Sequence, residues 1–310
     1  MHQLLPFADR LETAVRRCHN PVLVGLDPRR ESLPSGFLAE GGDVGAEETA
    51  AAYGRFCRGV IDVVAPLVPA VKPQAAFFEQ LGPAGMAVLA EVIRYAQQKE
   101  LLVIFDGKRN DIGSTATAYA DGLLGSDGQS VWGADALTVS PYLGDDSLQP
   151  FVDVAAKRAA GIFVLVKTSN PGGRMLQDLL AEGRPLYRHV AEYVEQQAAQ
   201  TAGRCGYGLV GAVVGATYPA QLAELRAAMP HTWFLVPGFG SQGGTAADVA
   251  AAFDAEGRGA VVNNSRGIIF AHRSKPYSQR YGDRGWQGAI EAATRDMIDQ
   301  LRSTTPAGKL

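Results

Sequence analysis

Cysteine and histidine are scarce in this chain of 310 residues, and it has no long apolar runs. The three cysteines cannot all pair with one another and show no C-x-x-C spacing, so the sequence predicts neither a disulfide framework nor a zinc knuckle. The apolar runs fall short of the ~18 residues of a membrane helix. Because the N-terminus also lacks the apolar core of a signal peptide, we expect a soluble cytoplasmic protein that does not act at a membrane.

An excess of charge of either sign is also missing. Lysine and arginine number 29 against 32 aspartates and glutamates, a formal net charge of −3. Because nucleic-acid-binding domains usually carry a basic surface, this balance argues against nucleic acid as a partner. The five histidines are scattered and none ends a predicted strand, so we expect no metal site. The P-loop pattern G-x-x-x-x-G-K-[ST] is absent, and nothing supports nucleoside triphosphate chemistry.

Short β-branched runs alternate with longer segments of helical apolar spacing. The strand-like runs cover residues 22–27, 70–77, 101–108, 136–142, 161–169, 208–217, 232–240 and 259–268. They are apolar almost throughout, as expected for parallel strands that are covered on both faces. Eight strand–helix units that close on themselves form a (β/α)8 or TIM barrel. An open doubly wound sheet is the competing architecture.

The chain is expected to form a single domain over residues 1–310. Residues 1–20 supply an extra helix before the first strand, Leu4–His19, which could cover the bottom of the barrel. The tail over residues 303–310, STTPAGKL, is predicted to be disordered.

Polar residues gather at the carboxyl ends of the predicted strands, where barrels of this kind place their chemistry. They are Asp27, Lys72, Asp106, Lys108, Ser169, Gln242 and Arg266. Asp106 and Lys108 are two positions apart, so they point to the same side of an extended strand. A lysine held between carboxylates keeps its proton. Lys108 is therefore predicted to be a fixed proton donor rather than a Schiff-base nucleophile.

Residues 238–243 read GFGSQG, a match to the G-x-G-x-x-G pattern of dinucleotide-binding loops. Such a site requires an acidic residue at the end of the next strand. The strand GAVVNNSRGI contains none, so we expect no nicotinamide cofactor. The seventh and eighth loops of a barrel commonly bind phosphate instead. Gly238 and Gly240 free the backbone for close approach, and Arg266 offers a bidentate cation.

The segment FDGKRNDIGSTA, residues 105–116, resembles the D-x-K-x-x-D-I-x-x-T motif of orotidine 5′-phosphate decarboxylases. Further pieces follow in the order of that family: GLDP at 25–28, AVKPQ at 70–74, TSNPG at 168–172, PGFGSQGG at 237–244 and NSRGI at 264–268. The length of the chain and the polar variant of the motif resemble the longer-chain bacterial branch. The resemblance implies cofactor-free decarboxylation of orotidine 5′-phosphate to uridine 5′-phosphate, the last step of de novo pyrimidine nucleotide synthesis.

The resemblance also implies roles for single residues. Lys72, Asp106, Lys108 and Asp111 would form an alternating charged array in which Lys108 protonates C6 of the pyrimidine. Further substrate contacts are implied for Asp27, Ile112, Thr115, Ser169, Pro237, Gly238, Gly240, Gln242 and Arg266. Of these, Asp27 and Thr115 would contact the ribose with Lys72, Ser169 the pyrimidine, and Gln242 and Arg266 the 5′-phosphate, with the 238–245 loop closing as a flap.

The family shares its sites across a homodimer, which implies that Asp111, Ile112 and Thr115 act on the substrate of the neighbouring chain. Arg109 is a departure within the motif, because it could pair with Asp106 or Asp111 and alter the array. Two other functions stay open on the residues. One is a magnesium-dependent aldolase or lyase acting on a sugar phosphate in the same barrel superfamily, and the other is a non-catalytic binder of a phosphoribosyl ligand.

Overall fold

The structure, a computed structural model, describes residues 4–39, 44–126, 128–240 and 243–310. The strands in these residues are β1 Val22–Leu26, β2 Ala70–Pro73, β3 Leu102–Arg109, β4 Ala136–Val139, β5 Gly161–Lys167, β6 Leu180–Ala181, β7 Arg184–Pro185, β8 Val210–Val214, β9 Phe234–Val236 and β10 Ala260–Asn264. Eight of them close into a parallel barrel in the order β1-β2-β3-β4-β5-β8-β9-β10. The predicted barrel is confirmed, and the open sheet is wrong. The remaining two, β6 and β7, form an antiparallel hairpin that the sequence did not predict.

Helices separate the barrel strands, as βαβ units require. The α-helices are α1 Phe7–Cys18, α2 Ala46–Val64, α3 Ala76–Glu79, α4 Gly82–Gln98, α5 Gly113–Leu123, α6 Asp145–Lys157, α7 Arg174–Gln177, α8 Leu186–Gln200, α9 Pro219–Ala228, α10 Ala246–Val249, α11 Arg266–Ile269, α12 Tyr277–Tyr281 and α13 Trp286–Thr304. Short 3-10 turns cover Arg30–Ser32, Pro171–Gly173, Ala250–Ala252, Ala271–Arg273 and Pro306–Lys309. Among the described helices, none combines the length and the apolar character needed to cross a bilayer.

The interior of the barrel is apolar at the bottom and polar at the top. Successive residues of a strand face opposite sides, so every second side chain points inward. The inward-facing residues of the lower layer are buried together: Leu23, Ala70, Ile104, Ala136, Phe163, Leu235 and Val261. Two positions further along the same strands stand Lys72, Asp106, Thr138 and Asn263, which line a cleft. The lower half of the barrel is therefore a packed core, and the upper half holds the polar groups.

Helix α1 covers the bottom of the barrel, as the sequence predicted for an extra N-terminal helix. Phe7 and Leu11 are buried in the lower core layer, and the Phe7 ring meets Phe163 edge-on at 5.9 Å between centroids. A Cβ atom at Gly161 would lie 2.2 Å from the Phe7 ring, so only glycine lets the helix approach the start of β5 this closely.

The strands mostly end earlier than the predicted runs, because the chain turns outward there into the top loops. The run 232–240, for example, is a strand only over Phe234–Val236. Beyond it, Gly238 and Gly240 have φ angles of +97° and +69°, which a continuing strand does not allow.

The prediction of a disordered tail over residues 303–310 is wrong. Helix α13 continues to Thr304, and Thr305 caps the following 3-10 turn by accepting a hydrogen bond from the backbone N–H of Ala307 at 3.1 Å. Ala307 is buried in the core, and the Lys309 ammonium donates to the Ala255 carbonyl at 2.8 Å. These contacts order a segment whose small and polar composition is typical of a loose end.

Candidate active site at the top of the barrel

A cleft of about 560 Å³ opens at the carboxyl ends of the barrel strands, and Asp106 is the hub of its polar floor. The Lys108 ammonium donates to Oδ1 of Asp106 at 2.6 Å, and the Lys72 ammonium contacts Oδ2. The Thr138 hydroxyl donates to Oδ1 at 3.0 Å, and the Gln74 amide donates to Oδ2 at 3.0 Å. Each oxygen of this buried carboxylate thus accepts two hydrogen bonds, which fixes both lysines.

Burial and charge oppose each other in this cluster. Burial alone would raise the pKa of Asp106, but the ammonium groups of Lys72 and Lys108 hold it well below its usual range. For Lys72, burial disfavours the ammonium, yet Asp106 and Asp27 outweigh it and raise the pKa. Burial raises the pKa of Asp27, and the nearby Lys72 only partly offsets this. The pair of Lys72 and Asp106 is therefore ionised. Asp27, whose pKa is raised, takes up a proton more readily than an aspartate in water does.

Lys108 occupies a bulge at the end of β3. Its φ angle is +44°, a left-handed conformation that side chains other than glycine rarely adopt, and the pairing with β4 shifts register between Phe105 and Arg109. The backbone N–H of Lys108 donates to the Thr138 hydroxyl at 2.9 Å. Unlike the buried Lys72, the Lys108 side chain is 46% exposed. Its ammonium is thus anchored at one end and open to a ligand in the cleft.

Arg109 does not pair with Asp106 or Asp111, contrary to the possibility that the sequence raised. Its guanidinium contacts Glu79 on α3 and lies 5.8 Å from the Phe105 ring and 5.7 Å from the Tyr119 ring. It also donates to the Gly107 carbonyl at 3.2 Å. Arg109 therefore faces the outer side of β3, where its contacts with Glu79 and the Gly107 carbonyl hold the bulge. It leaves the charge balance of the array unchanged.

At one end of the cleft the backbone turns tightly between β9 and α10. Pro237 and Gly238 line the cleft together with Arg266, which follows β10. Gly240 stands two residues after Gly238, in a turn where its N–H donates to the Gly244 carbonyl at 2.8 Å. In the part of the chain that the structure describes, the Arg266 guanidinium forms no ion pair, so it is available to an anion. Gln242 lies outside the described residues.

The loop after β5 forms another wall of the cleft, and Ser169 lines it. The loop is held by its own hydrogen bonds: the Gln177 amide oxygen accepts from the Thr168 N–H at 3.1 Å, and the Gln177 amide nitrogen donates to the Thr168 hydroxyl at 2.8 Å. The Thr217 hydroxyl donates to the Ser169 carbonyl at 2.9 Å. Ser169 is thus presented to the cleft by an ordered loop.

Asp111, Ile112 and Thr115 do not line the cleft of their own chain. Asp111 accepts a hydrogen bond from the Ile112 N–H at 2.8 Å, and the Ile112 side chain is 56% exposed on the top face. The array seen within one chain is therefore Lys72, Asp106 and Lys108, with Asp27 beside it.

Several cleft residues were missed by the sequence reasoning. They are Arg29, Gln74, Thr138, Asn170, Asn263 and Ser265. A signal for four of them was present: Gln74 stands two positions after Lys72, Thr138 and Asn263 each stand two after an apolar inward-facing residue, and Ser265 stands two after Asn263. Extending the period-2 argument used for β3 to the neighbouring strands would have found them.

The described residues contain no group of three or more histidine, cysteine, aspartate or glutamate side chains close enough to hold a metal ion.

Comparison with known proteins decides the family. The model of the orotidine 5′-phosphate decarboxylase / HUMPS family matches residues 20–281. The chain belongs to this family. A curated orotidine 5′-phosphate decarboxylase of Rhodopirellula baltica is 59% identical over 301 residues, covering 96% of this chain and all of that one. A second, of Caldicellulosiruptor bescii, is 40% identical and covers 89% of this chain and 93% of its own.

A solved structure supports the family assignment independently. The OMP decarboxylase of Leishmania donovani superimposes with a TM-score of 0.74 at 35% sequence identity, over 97% of this chain and 98% of that chain. The aldolase and ligand-binder alternatives gain no support from these three relatives, all of which carry the decarboxylase name.

Proposed function

We propose that this protein removes carbon dioxide from orotidine 5′-phosphate to give uridine 5′-phosphate, with Lys108 as the proton donor. The observation that carries the proposal is the arrangement around Asp106: one lysine is buried and fixed, and the other keeps its ammonium open to the cleft. Family membership and the names of the relatives agree with this chemistry.

The reaction leaves an electron pair on C6 of the pyrimidine as the C6–carboxyl bond breaks. A cation already fixed beside that carbon stabilises charge that appears only in the transition state, which is the kind of binding that raises the rate. The carboxyl group leaves as carbon dioxide when this bond breaks, and the Lys108 ammonium gives its proton to the electron pair on C6. Asp106 holds the ammonium in place, so little reorganisation is needed when the charge develops.

The remainder of the cleft suits the other parts of the nucleotide. Arg266, Gly238 and Pro237, with Gly240 and Gln242 on the same loop, bind the 5′-phosphate. Ser169, on the loop after β5, hydrogen-bonds the pyrimidine. Asp27 and Lys72, at the ends of β1 and β2, contact the ribose. Phosphate binding far from C6 can supply energy for loop closure and orientation.

The active unit in this proposal is a homodimer. Loops after β3, β4 and β5 are neighbours on the top face and expose apolar side chains, namely Ile112, Tyr142, Leu143, Met175, Leu179 and Leu180. A surface of this kind is typical of a protein–protein contact. Through it Asp111, Ile112 and Thr115 reach the cleft of the partner. Asp111 then stands beside the substrate carboxylate, and their like charges repel by roughly 4 kcal/mol at ~4 Å and an effective dielectric constant of about 20.

The proposed place of action is the cytoplasm. The three cysteines are free thiols, and Cys57 is buried without a disulfide partner, as suits a reducing compartment. Recovery of the native protein mainly in the membrane or secreted fraction of its own cells would contradict this.

The decisive experiment is a spectroscopic assay with orotidine 5′-phosphate, with and without a chelator. Formation of uridine 5′-phosphate at equal rates in both supports a cofactor-free decarboxylase. Activity that chelator abolishes and magnesium restores would favour a metal-dependent lyase instead. Binding of the nucleotide without turnover would favour a ligand binder.

A further inference from the structure

The last residue of β5 is a buried lysine that the proposed reaction does not use. The Lys167 side chain is only 1% exposed, and a register shift separates it from Leu165, which lines the cleft. The Lys167 ammonium lies 4.6 Å from the centroid of the Tyr218 ring and 5.4 Å from that of the Tyr187 ring. A buried charge of this kind is costly unless it is paired, so its partner is informative.

The partner of Lys167 comes from the segment that follows the strand, residues 168–178, which we call the β5 loop. Asp178 is its last residue, and the Asp178 carboxylate contacts the Lys167 ammonium. Among the residues that the structure describes, Lys167 forms no other ion pair. Displacement of the β5 loop would therefore leave a buried ammonium without its carboxylate, which is strongly unfavourable. The ion pair thus favours a single position of the loop.

A second pair of residues closes the neck of the β5 loop, directly beside the ion pair. Thr168 follows Lys167 in the chain and Gln177 precedes Asp178, and the two are joined by the hydrogen bonds described above. A Cβ atom at Gly173 would lie 2.8 Å from the Thr168 hydroxyl oxygen and 3.0 Å from the Gln177 amide oxygen, so the middle of the loop packs against this neck. The β5 loop is therefore a compact loop whose two ends are held together.

The inner side of the β5 loop is a wall of the cleft. Ser169, Asn170 and Leu176 of this loop line the cleft, although Lys167 and Asp178 do not. A Cβ atom at Gly215, the residue after β8, would lie 2.7 Å from Cα of Ser169, so the start of the loop rests on the neighbouring strand. The position of Ser169 therefore depends on how the loop sits on the barrel.

We infer that Lys167 is a positioning residue for recognition of the base: its buried ammonium holds Asp178, and this ion pair fixes the β5 loop so that Ser169 meets the pyrimidine. The phosphate end of the nucleotide is bound by the loops after β9 and β10, which the ion pair does not touch. The pair therefore acts on the affinity that the base contributes and not on the affinity that the sugar phosphate contributes. The inference rests on the proposed function, since it concerns the ligand of the same cleft.

Asp178→Asn tests the ion pair, because it removes the charge with little change in shape. The Asp178 side chain is 41% exposed, so the variant is expected to fold. Uridine 5′-phosphate and ribose 5-phosphate, which lacks the base, are titrated against the wild type and the variant by calorimetry. The affinity for uridine 5′-phosphate should fall about tenfold in the variant, the size of a hydrogen bond to a charged group. The affinity for ribose 5-phosphate should stay within about twofold, as expected for independent sites.

Lys167→Met removes the other member of the pair and keeps a long side chain. In the double variant its effect on uridine 5′-phosphate should not add to that of Asp178→Asn, because both substitutions break one interaction. Glu192→Gln is the matched control. Glu192 pairs with Arg184 at 3.1 Å in an exposed ion pair beyond the loop, and its replacement should leave both affinities unchanged.

Hydrogen exchange reports the position of the loop without any ligand. The Thr168 N–H, which donates to Gln177, should exchange faster in Asp178→Asn than in the wild type, because the neck of the loop opens more often. Its exchange should be unchanged in Glu192→Gln.

An unchanged affinity for uridine 5′-phosphate in Asp178→Asn would overturn the inference, and so would an equal loss of affinity for both ligands, which indicates a general structural defect. Decarboxylation of orotidine 5′-phosphate by the wild type is measured in parallel. Its absence would defeat the proposed function, whereas an active wild type with either of those results defeats only the role of Lys167. Thermal unfolding establishes that the proteins compared are folded, and Asp178→Asn alone decides if Lys167→Met does not fold.

Discussion

Lys108 and Asp106 lie two positions apart on β3 and are joined by an ion pair of 2.6 Å, although the lysine has a left-handed backbone. The bulge that produces this conformation keeps both side chains on the inner side of the barrel. It also lifts the Lys108 ammonium toward the mouth of the cleft, while the Asp106 carboxylate stays buried. The two lysines that contact the Asp106 carboxylate therefore differ in exposure. The left-handed backbone at Lys108 leaves its ammonium accessible, whereas Lys72 is buried.

Lys108→Ala should abolish turnover, lowering kcat by on the order of a thousandfold, because it removes the cation beside C6. The fold should survive, since alanine tolerates the same backbone conformation about as well as lysine does. Steady-state kinetics and thermal unfolding check both parts. Lys99→Ala is the control, because Lys99 is similarly exposed but pairs with Asp62 on the outer helices. Retained activity in Lys108→Ala would remove it from the role of proton donor.

Arg266→Ala should raise KM for orotidine 5′-phosphate by about tenfold to a hundredfold, the worth of a charged hydrogen bond to phosphate. Orotidine, which lacks the phosphate, should be affected little. Arg284→Ala serves as the comparison, because Arg284 is an exposed arginine on the loop that follows α12. An unchanged KM in Arg266→Ala would disprove the phosphate assignment.

Asp27→Asn should stabilise the fold while weakening nucleotide binding. The pKa of Asp27 is raised in the folded protein, chiefly by burial. Ionised Asp27 therefore lowers the free energy of unfolding. This loss of stability is absent below the ordinary pKa of an aspartate, and it grows as the pH rises toward the pKa that Asp27 has in the folded protein. The advantage of the variant should therefore grow over the same window and reach about 1 kcal/mol, the usual size for such functional-site replacements. Urea unfolding at several pH values measures it; a variant less stable than the wild type at neutral pH would contradict the argument.

Mixing Lys108→Ala with Asp111→Ala chains should restore activity if sites are shared across a homodimer. Each heterodimer then contains one intact site, so random exchange should recover about a quarter of the wild-type activity. Lys72→Ala mixed with Lys108→Ala is the control and should recover none, because both residues belong to the same cleft. Sedimentation must first verify that heterodimers form; no recovery in verified heterodimers would refute the sharing of sites.

Much of the site was predictable because the barrel repeats one local rule. Asp106 and Lys108 could be placed on one side of a strand from their spacing alone, and the end of each strand could be assigned to the top face. The same rule reaches Gln74 and Ser265. It could not reach the order at 303–310, where Ala307 is buried in the core and Lys309 donates to the Ala255 carbonyl of a distant segment.

The sequence by itself determined the barrel, its N-terminal helix and the strand ends that carry charge, because these depend on short-range periodicity and on the residue types at each position. Tertiary structure alone decided which groups meet. Arg109 points away from the array, as the alternation of side chains along β3 predicts, but only the fold places Glu79 within reach of its guanidinium. Asp27 and Ser265 line the same cleft because β1 and β10, which are far apart in the chain, become neighbours only when the barrel closes.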